Sequence, residues 1–278
     1  MIYLAYDGSL NVDWVSRYGI RFAAHTAEKK LTLVHIQDNS VSPVQVVDKI
    51  SKIEQECGAQ GIELCRKILP LKKNVFQSLL DAIPHGRESF VVCGTRIRSR
   101  RQAFLSGTIS EKLLESYKFN VMAVRVVQPG LLANPRKFLI PLAGHPRGFK
   151  SAWPFFKLFL PEAEKVYLLR VMKVSSFHPL HFSQHRMQEL RKKGLKYLDA
   201  VMQDIKQECG AVGFQIDYRV VVSNDWSREI LVHGSKLRTR MILLGASERT
   251  RLGRAVYADS LERVLCGTPC DMGIYRGI

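Results

Sequence analysis

Residues 93–114 read CGTRIRSRRQAFLSGTISEKLL, and their residue types could bind an anion. A Gly-Thr pair stands near each end, Gly94-Thr95 and Gly107-Thr108, and Arg96, Arg98, Arg100 and Arg101 lie between with no acid among them. A glycine beside Ser or Thr at a helix start leaves backbone N–H groups facing solvent, and the helix dipole draws an anion to that end. The Thr108 hydroxyl offers one more donor, and guanidinium groups pair well with phosphate oxygens. The plainer reading is that Ser106 or Thr108 only caps the helix. Elsewhere, His178, His181 and His185 have spacings that could serve a transition metal. No cysteine or clear carboxylate joins them and Pro179 points to a loop, so they read as solvated histidines and no metal site is expected. No Gly-x-Ser-x-Gly, Walker-type Gly-Lys-Thr or nucleophile–base pair is present. No catalytic residue is therefore assigned.

The elements that must hold this loop are short apolar runs alternating with amphipathic stretches. IYLAY, LTLVHI, IELCRKIL, SFVVCG and NVMAVRVV read as strands. The segments between them carry apolar residues at helical spacing. Strands this apolar, interleaved with helices, predict a parallel sheet covered on both faces. In such a sheet ligands bind beyond the carboxyl ends of the strands, at the switch in strand order. That edge holds Ala5-Tyr6-Asp7-Gly8-Ser9 after the first strand, His35-Ile36 after the second, and Gly94 before the arginine loop. His35 reads as a structural or pocket-lining group rather than a general base.

The pattern occurs twice. QECGAQGIEL at 55–64 returns as QECGAVGFQI at 207–216, and VVCGTR at 91–96 as ILLGAS at 242–247. YLAYDGS near the start is matched by FLIPLAGH at 138–145, and LTLVHI by VYLLRV at 166–171. The offset is larger for the later pairs, which puts an insertion in the second copy around residues 175–190. The joint is the Pro/Gly stretch QPGLLANPR at 128–136. The fold class is therefore α/β, two tandem Rossmann-like units. Each is an open, mostly parallel five-stranded sheet with helices on both faces, and the units cover 1–130 and 136–278.

Composition narrows the classes of function. The chain of 278 residues carries 42 basic and 25 acidic residues, a net charge of +17. Such a surface favours anionic partners without choosing among nucleotides, nucleic acid, acidic proteins and membranes. No apolar run reaches the roughly 18 residues of a membrane span, and MIYLAYDGSL has no basic leader, so the cytoplasm is the expected location. The six cysteines show no CxxC and read as reduced thiols. Basic charge without a recognised reading module makes nucleic acid the lesser expectation.

From Gly94 two residues lead to Ile97, nine more (98–106) follow, and then Gly107-Thr108. With AYDGS and the histidine after the second strand, this resembles the universal stress protein signature, Gly-x2-Gly-x9-Gly-Ser/Thr, across nearly the whole chain as two tandem copies. The resemblance implies a stress-response protein binding ATP or a related nucleotide, with Mg2+ allowed as companion, and at most slow, metal-assisted hydrolysis. It implies that Asp7 contacts adenine with the backbone of Ala5 and Tyr6, and that Ile36 contacts it through its main chain. Cys93 and Gly94 would hold ribose and the α-phosphate, and Gly107, Thr108 and Ile109 the outer phosphates. Arg96 adds positive charge beside the same loop. It further implies an intramolecular pseudo-dimer of the two units, with any remaining exposed surface open to a homodimer. Ile97 departs from the signature, because glycine there would permit φ > 0 and a close backbone approach to phosphate. A non-nucleotide-binding scaffold is the alternative that follows from this residue. In the second unit Asp7 corresponds to Ala143, His35 to Arg170, Ile97 to Glu248 and Gly107-Thr108 to Ala258-Asp259. That unit is expected to be mainly structural, its last helix capped by Asp259 or Ser260.

Overall fold

A computed structural model describes residues 1–95, 105, 107–131, 135–143, 149, 152–174, 184–209, 213–246 and 254–278. Arg96, Ile97, Arg98, Arg100, Arg101, Ser106, His178, His181 and Glu248 lie outside the described residues.

The first half alternates strand and helix: β1 (Ile2–Tyr6), α1 (Leu10–Ala24), β2 (Lys30–Gln37), α2 (Pro43–Ala59), β3 (Glu63–Pro70), α3 (Val75–Ala82), β4 (Gly86–Gly94), α4 (Ile109–Glu115) and β5 (Phe119–Arg125). Its strands run in the order β3-β2-β1-β4-β5, every pairing parallel. β1, β2 and β5 are buried almost throughout, and β4 is buried mainly over its second half, Val91–Cys93, as strands covered on both faces must be. β3, at the edge, alternates between half-buried and exposed positions. The helix starts follow local chemistry. Ser9 caps α1, Ser42 caps α2 with Pro43 in the first turn, and Asn74 caps α3, each side chain accepting an N–H of the first turn.

The second half repeats the series as β6 (Lys137–Leu142), α5 (Trp153–Phe159), β7 (Lys165–Lys173), α6 (Gln184–Cys209), β8 (Gln215–Ser223), α7 (Trp226–Lys236), β9 (Met241–Gly245), α8 (Arg254–Gly267) and β10 (Asp271–Arg276). Its parallel strands run β9-β6-β7-β8. α8 begins at Arg254, so Ala258-Asp259 lies inside the helix and the expected cap at Asp259 or Ser260 is not formed. The first half has Gly107 at φ +72°, which ends any helical path there. Alanine at the equivalent position lets the helix run on upstream.

The chain forms two compact units. The first holds Met1–Ala133 with two segments from the second half, Pro154–Pro161 and Gly273–Ile278. The second holds Asn134–Trp153 and Glu162–Met272. The borrowed helix fills the first unit's core through aromatic contacts. Phe159 meets Phe22 edge-on at 4.7 Å, and Phe155 lies 5.8 Å from Phe90 and 5.4 Å from Tyr275. The backbone N–H of Ile278 donates to Asn120 Oδ1 at 3.2 Å. Among the described residues no helix is long and apolar enough to cross a membrane.

Candidate functional site

In the first unit β2 and β3 lie on one side of β1, and β4 and β5 on the other. The switch point falls between the carboxyl ends of β1 and β4, where the turn Asp7-Gly8-Ser9 and the pair Gly94-Thr95 emerge. The turn is tightly defined. Gly8 sits at φ +76°, where a side chain is strained, and its α-carbon faces Val41. One oxygen of Asp7 accepts the Ser9 N–H at 2.9 Å, an Asx turn that leaves the carboxylate at the surface. Below it, the buried Tyr6 phenol donates to Asp13 Oδ1 at 2.5 Å. Lys49 Nζ, from α2, donates to Gly8 O and pairs with Asp13 Oδ2, both at 2.7 Å. Burial first, and then the Asp13 carboxylate, push the Tyr6 phenol well above its ordinary value, so it stays a proton donor. His35 Nδ1 lies 2.9 Å from the Tyr6 carbonyl, so that nitrogen carries the proton and donates. His35 is buried and ties the ends of β1 and β2 together, the structural role expected of it. Ala5 is half-buried and Ile36 is buried at the same edge.

At the end of β4, Cys93 is buried and its thiol is pushed up to about 12 by burial, which leaves it unreactive. Gly94 has a packing reason to be glycine: a β-carbon there would lie 2.7 Å from Asn11 Nδ2 and 3.0 Å from Val12 Cγ2. Its carbonyl accepts the Ser110 hydroxyl at 2.7 Å, and the Thr95 carbonyl accepts Asn11 Nδ2 at 2.8 Å. Thr95 is fully buried, yet its hydroxyl oxygen and Asn11 Oδ1 have no hydrogen-bond partner among the described residues. Orphaned polar atoms of this kind call for a water or a ligand group.

Gly107 and Thr108 open α4. Gly107 is exposed with open space where a side chain would be, and its N–H donates to Glu111 Oε2 at 2.6 Å. The Thr108 hydroxyl donates to Leu105 O at 2.6 Å and accepts the Glu111 N–H at 3.2 Å. This is a capping arrangement, and its sequence signal is Thr108-x-x-Glu111. Ile109 follows, half-buried. An incoming phosphate has to displace the Glu111 carboxylate to reach the Gly107 N–H. Of the residues expected at the site, Ala5, Tyr6, Asp7, Ile36, Cys93 and Gly94 stand at neighbouring strand ends, Gly107, Thr108 and Ile109 at the start of α4, and Arg96 lies outside the described residues. Asn11, Asp13, Lys49, Thr95, Ser110 and Glu111 belong to the same constellation and were not anticipated; only Glu111 had a sequence signal.

At the equivalent edge of the second unit, two side chains bond to the end of β6. Arg170 stands where His35 stands and donates to Leu142 O at 2.9 Å. Tyr197, from α6, lies 4.1 Å from that guanidinium and its hydroxyl donates to Ala143 O at 3.1 Å.

No family model matches the chain, and no curated protein matches it. Solved structures do. A universal stress protein from Archaeoglobus fulgidus superposes with a TM-score of 0.59 at 16% identity, covering 99% of this chain and 96% of that one. A putative universal stress protein from Pseudomonas aeruginosa gives 0.59 at 14%, covering 98% and 91%. The cytoplasmic domain of a prokaryotic cation chloride cotransporter gives 0.61 at 7%, covering 99% and 94%. At these identities it is the fold that is shared: this chain has the tandem α/β fold of those universal stress proteins. The cotransporter domain shows that the same fold also serves other proteins, so function must be argued from the site.

Proposed function

We propose that the chain is a tandem universal stress protein whose first unit, residues 1–130, binds ATP or a related nucleotide, and whose second unit, 136–278, is mainly structural. The observation that carries this reading is the surface carboxylate of Asp7, fixed at the switch point by the Gly8 conformation and the Ser9 N–H. A carboxylate so placed accepts the exocyclic amine of adenine, and the orphaned Thr95 hydroxyl and Asn11 carbonyl beside the end of β4 offer a donor and an acceptor for the sugar. Gly107, Thr108 and Ile109 would then face the outer phosphates, with any Mg2+ arriving with the nucleotide.

A second reading, a scaffold that binds no nucleotide, is favoured by the Glu111 carboxylate on the Gly107 N–H. Equilibrium titration of the full chain with labelled ATP separates the two. Saturable binding that falls at least about tenfold in Asp7→Ala supports the site, since a hydrogen bond to a charged group contributes roughly 1.5–3 kcal/mol. Absence of saturable binding, or equal binding by the variant, leaves the scaffold reading.

A further inference from the structure

The first half of α6 carries a charge pattern that the fold does not use. Between residues 184 and 196 stand Arg186, Arg191, Lys192, Lys193 and Lys196 against the single carboxylate Glu189, all exposed. Asp199, Asp204 and Glu208 are confined to the remainder of the helix. Lys192 and Lys196 are one turn apart and Lys193 and Lys196 three residues apart, so like charges crowd one face at a cost to the helix. Arg191, Lys192, Lys193 and Lys196 have no ion-pair partner among the described residues. The opposite face is spent on packing: Gly194, Tyr197, Leu198, Val201 and Ile205 are buried, and a β-carbon on Gly194 would lie 2.4 Å from Val220 Cγ1 of β8. The basic face is thereby held outward on a helix that cannot roll.

We infer that this face docks the phosphate backbone of double-stranded nucleic acid, independently of the nucleotide reading above. Charge complementarity selects the partner. A duplex presents about one negative charge per 1.7 Å of its axis, and the stretch from Arg186 to Lys196 spans roughly 15 Å, enough to meet several phosphates. A bilayer surface attracts such cations, but firm binding adds an inserted apolar face, and that face of α6 is buried in the second unit. A protein partner would need an apolar or aromatic centre, and Leu195, 41% exposed, is the one large hydrophobic side chain of α6 among the exposed ones. The face carries long cations and no aromatic ring at its surface, so it grips the backbone without reading sequence.

The test is anisotropy titration of a labelled duplex of about 20 base pairs with the full chain, from about 50 to 200 mM salt. The wild type is compared with a variant carrying Arg191→Gln, Lys192→Gln, Lys193→Gln and Lys196→Gln, and with a control carrying Lys52→Gln, Lys72→Gln, Lys73→Gln and Lys118→Gln in the first unit. The wild type should bind with a steep salt dependence. The α6 variant should lose about tenfold or more at low salt and flatten the log–log salt slope by two or more, while the control stays within about threefold. Should the fourfold variant not fold, the pairs Arg191→Gln/Lys192→Gln and Lys193→Gln/Lys196→Gln are measured separately, and each should give part of the loss. No wild-type binding, or equal losses in the variant and the control, overturns the inference. So does tighter capture of phosphatidylserine vesicles or polyglutamate than of duplex. Binding that ATP competes away would place the duplex at the β1/β4 edge instead and also overturn it.

Discussion

At the scale of single residues the site is built from groups with two jobs. Gly94 fits the spacing of a phosphate loop, yet its immediate constraint is α1, whose Asn11 and Val12 leave no room for a β-carbon. Gly94→Ala is expected to cost about 1–3 kcal/mol, the usual penalty of forcing a methyl group into a packed site, read from the urea midpoint. An unchanged midpoint would mean that Asn11 swings away freely and that the glycine is there for a ligand alone. Asp7, by contrast, is at the surface and accepts a hydrogen bond from the neighbouring Ser9 backbone N–H. Its replacement should therefore leave the fold nearly intact, which makes it a clean probe of binding.

At the scale of elements, most of the architecture was legible from periodicity, because each strand is an apolar run and each helix has its own stripe. What was missed was decided by neighbours. α1 starts at Leu10 because Ser9 caps it, and α8 gains its first turn because alanine replaces the glycine that stops its counterpart. The residues around the switch point were partly legible through their spacing. Asn11, Asp13 and Lys49 were not, because they reach the strand ends only once α1 and α2 have packed. α7 adds a pH-dependent element. His233 is only 12% exposed, its Nδ1 is buried with no partner among the described residues, and burial holds its pKa below the ordinary value despite Glu229 at 3.9 Å, with Arg219 and Lys236 acting in the same direction as burial. Below the ordinary histidine value of about 6.5 the unfolded chain therefore takes up a proton that the folded chain refuses, and stability falls as pH falls. The thermal midpoint should drop between pH 7.5 and pH 5.5, and by less in His233→Gln. Equal drops in the two proteins would remove His233 as a source of the slope.

At the scale of the whole molecule, a sequence duplicated in tandem suggests two bodies cut at the repeat boundary, but the first compact unit takes two segments from beyond that boundary. Periodicity cannot reveal this, since a helix carries the same pattern whichever core receives its apolar face. Phe155 shows what the borrowed helix contributes. It belongs to the second repeat, is 2% exposed, and packs between Phe90 and Tyr275 within the first unit, while Phe159 on the same helix covers Phe22. Removing a buried phenylalanine ring costs about 3–5 kcal/mol, so Phe155→Ala should lower stability by that order. The loss should fall on the first unit: hydrogen exchange should quicken in peptides covering β4, where Phe90 loses its cover. If α5 served only the repeat that encodes it, exchange would quicken in β6 and β7 and leave β4 unchanged. That outcome would return the boundary between the units to the Pro/Gly joint at 128–136.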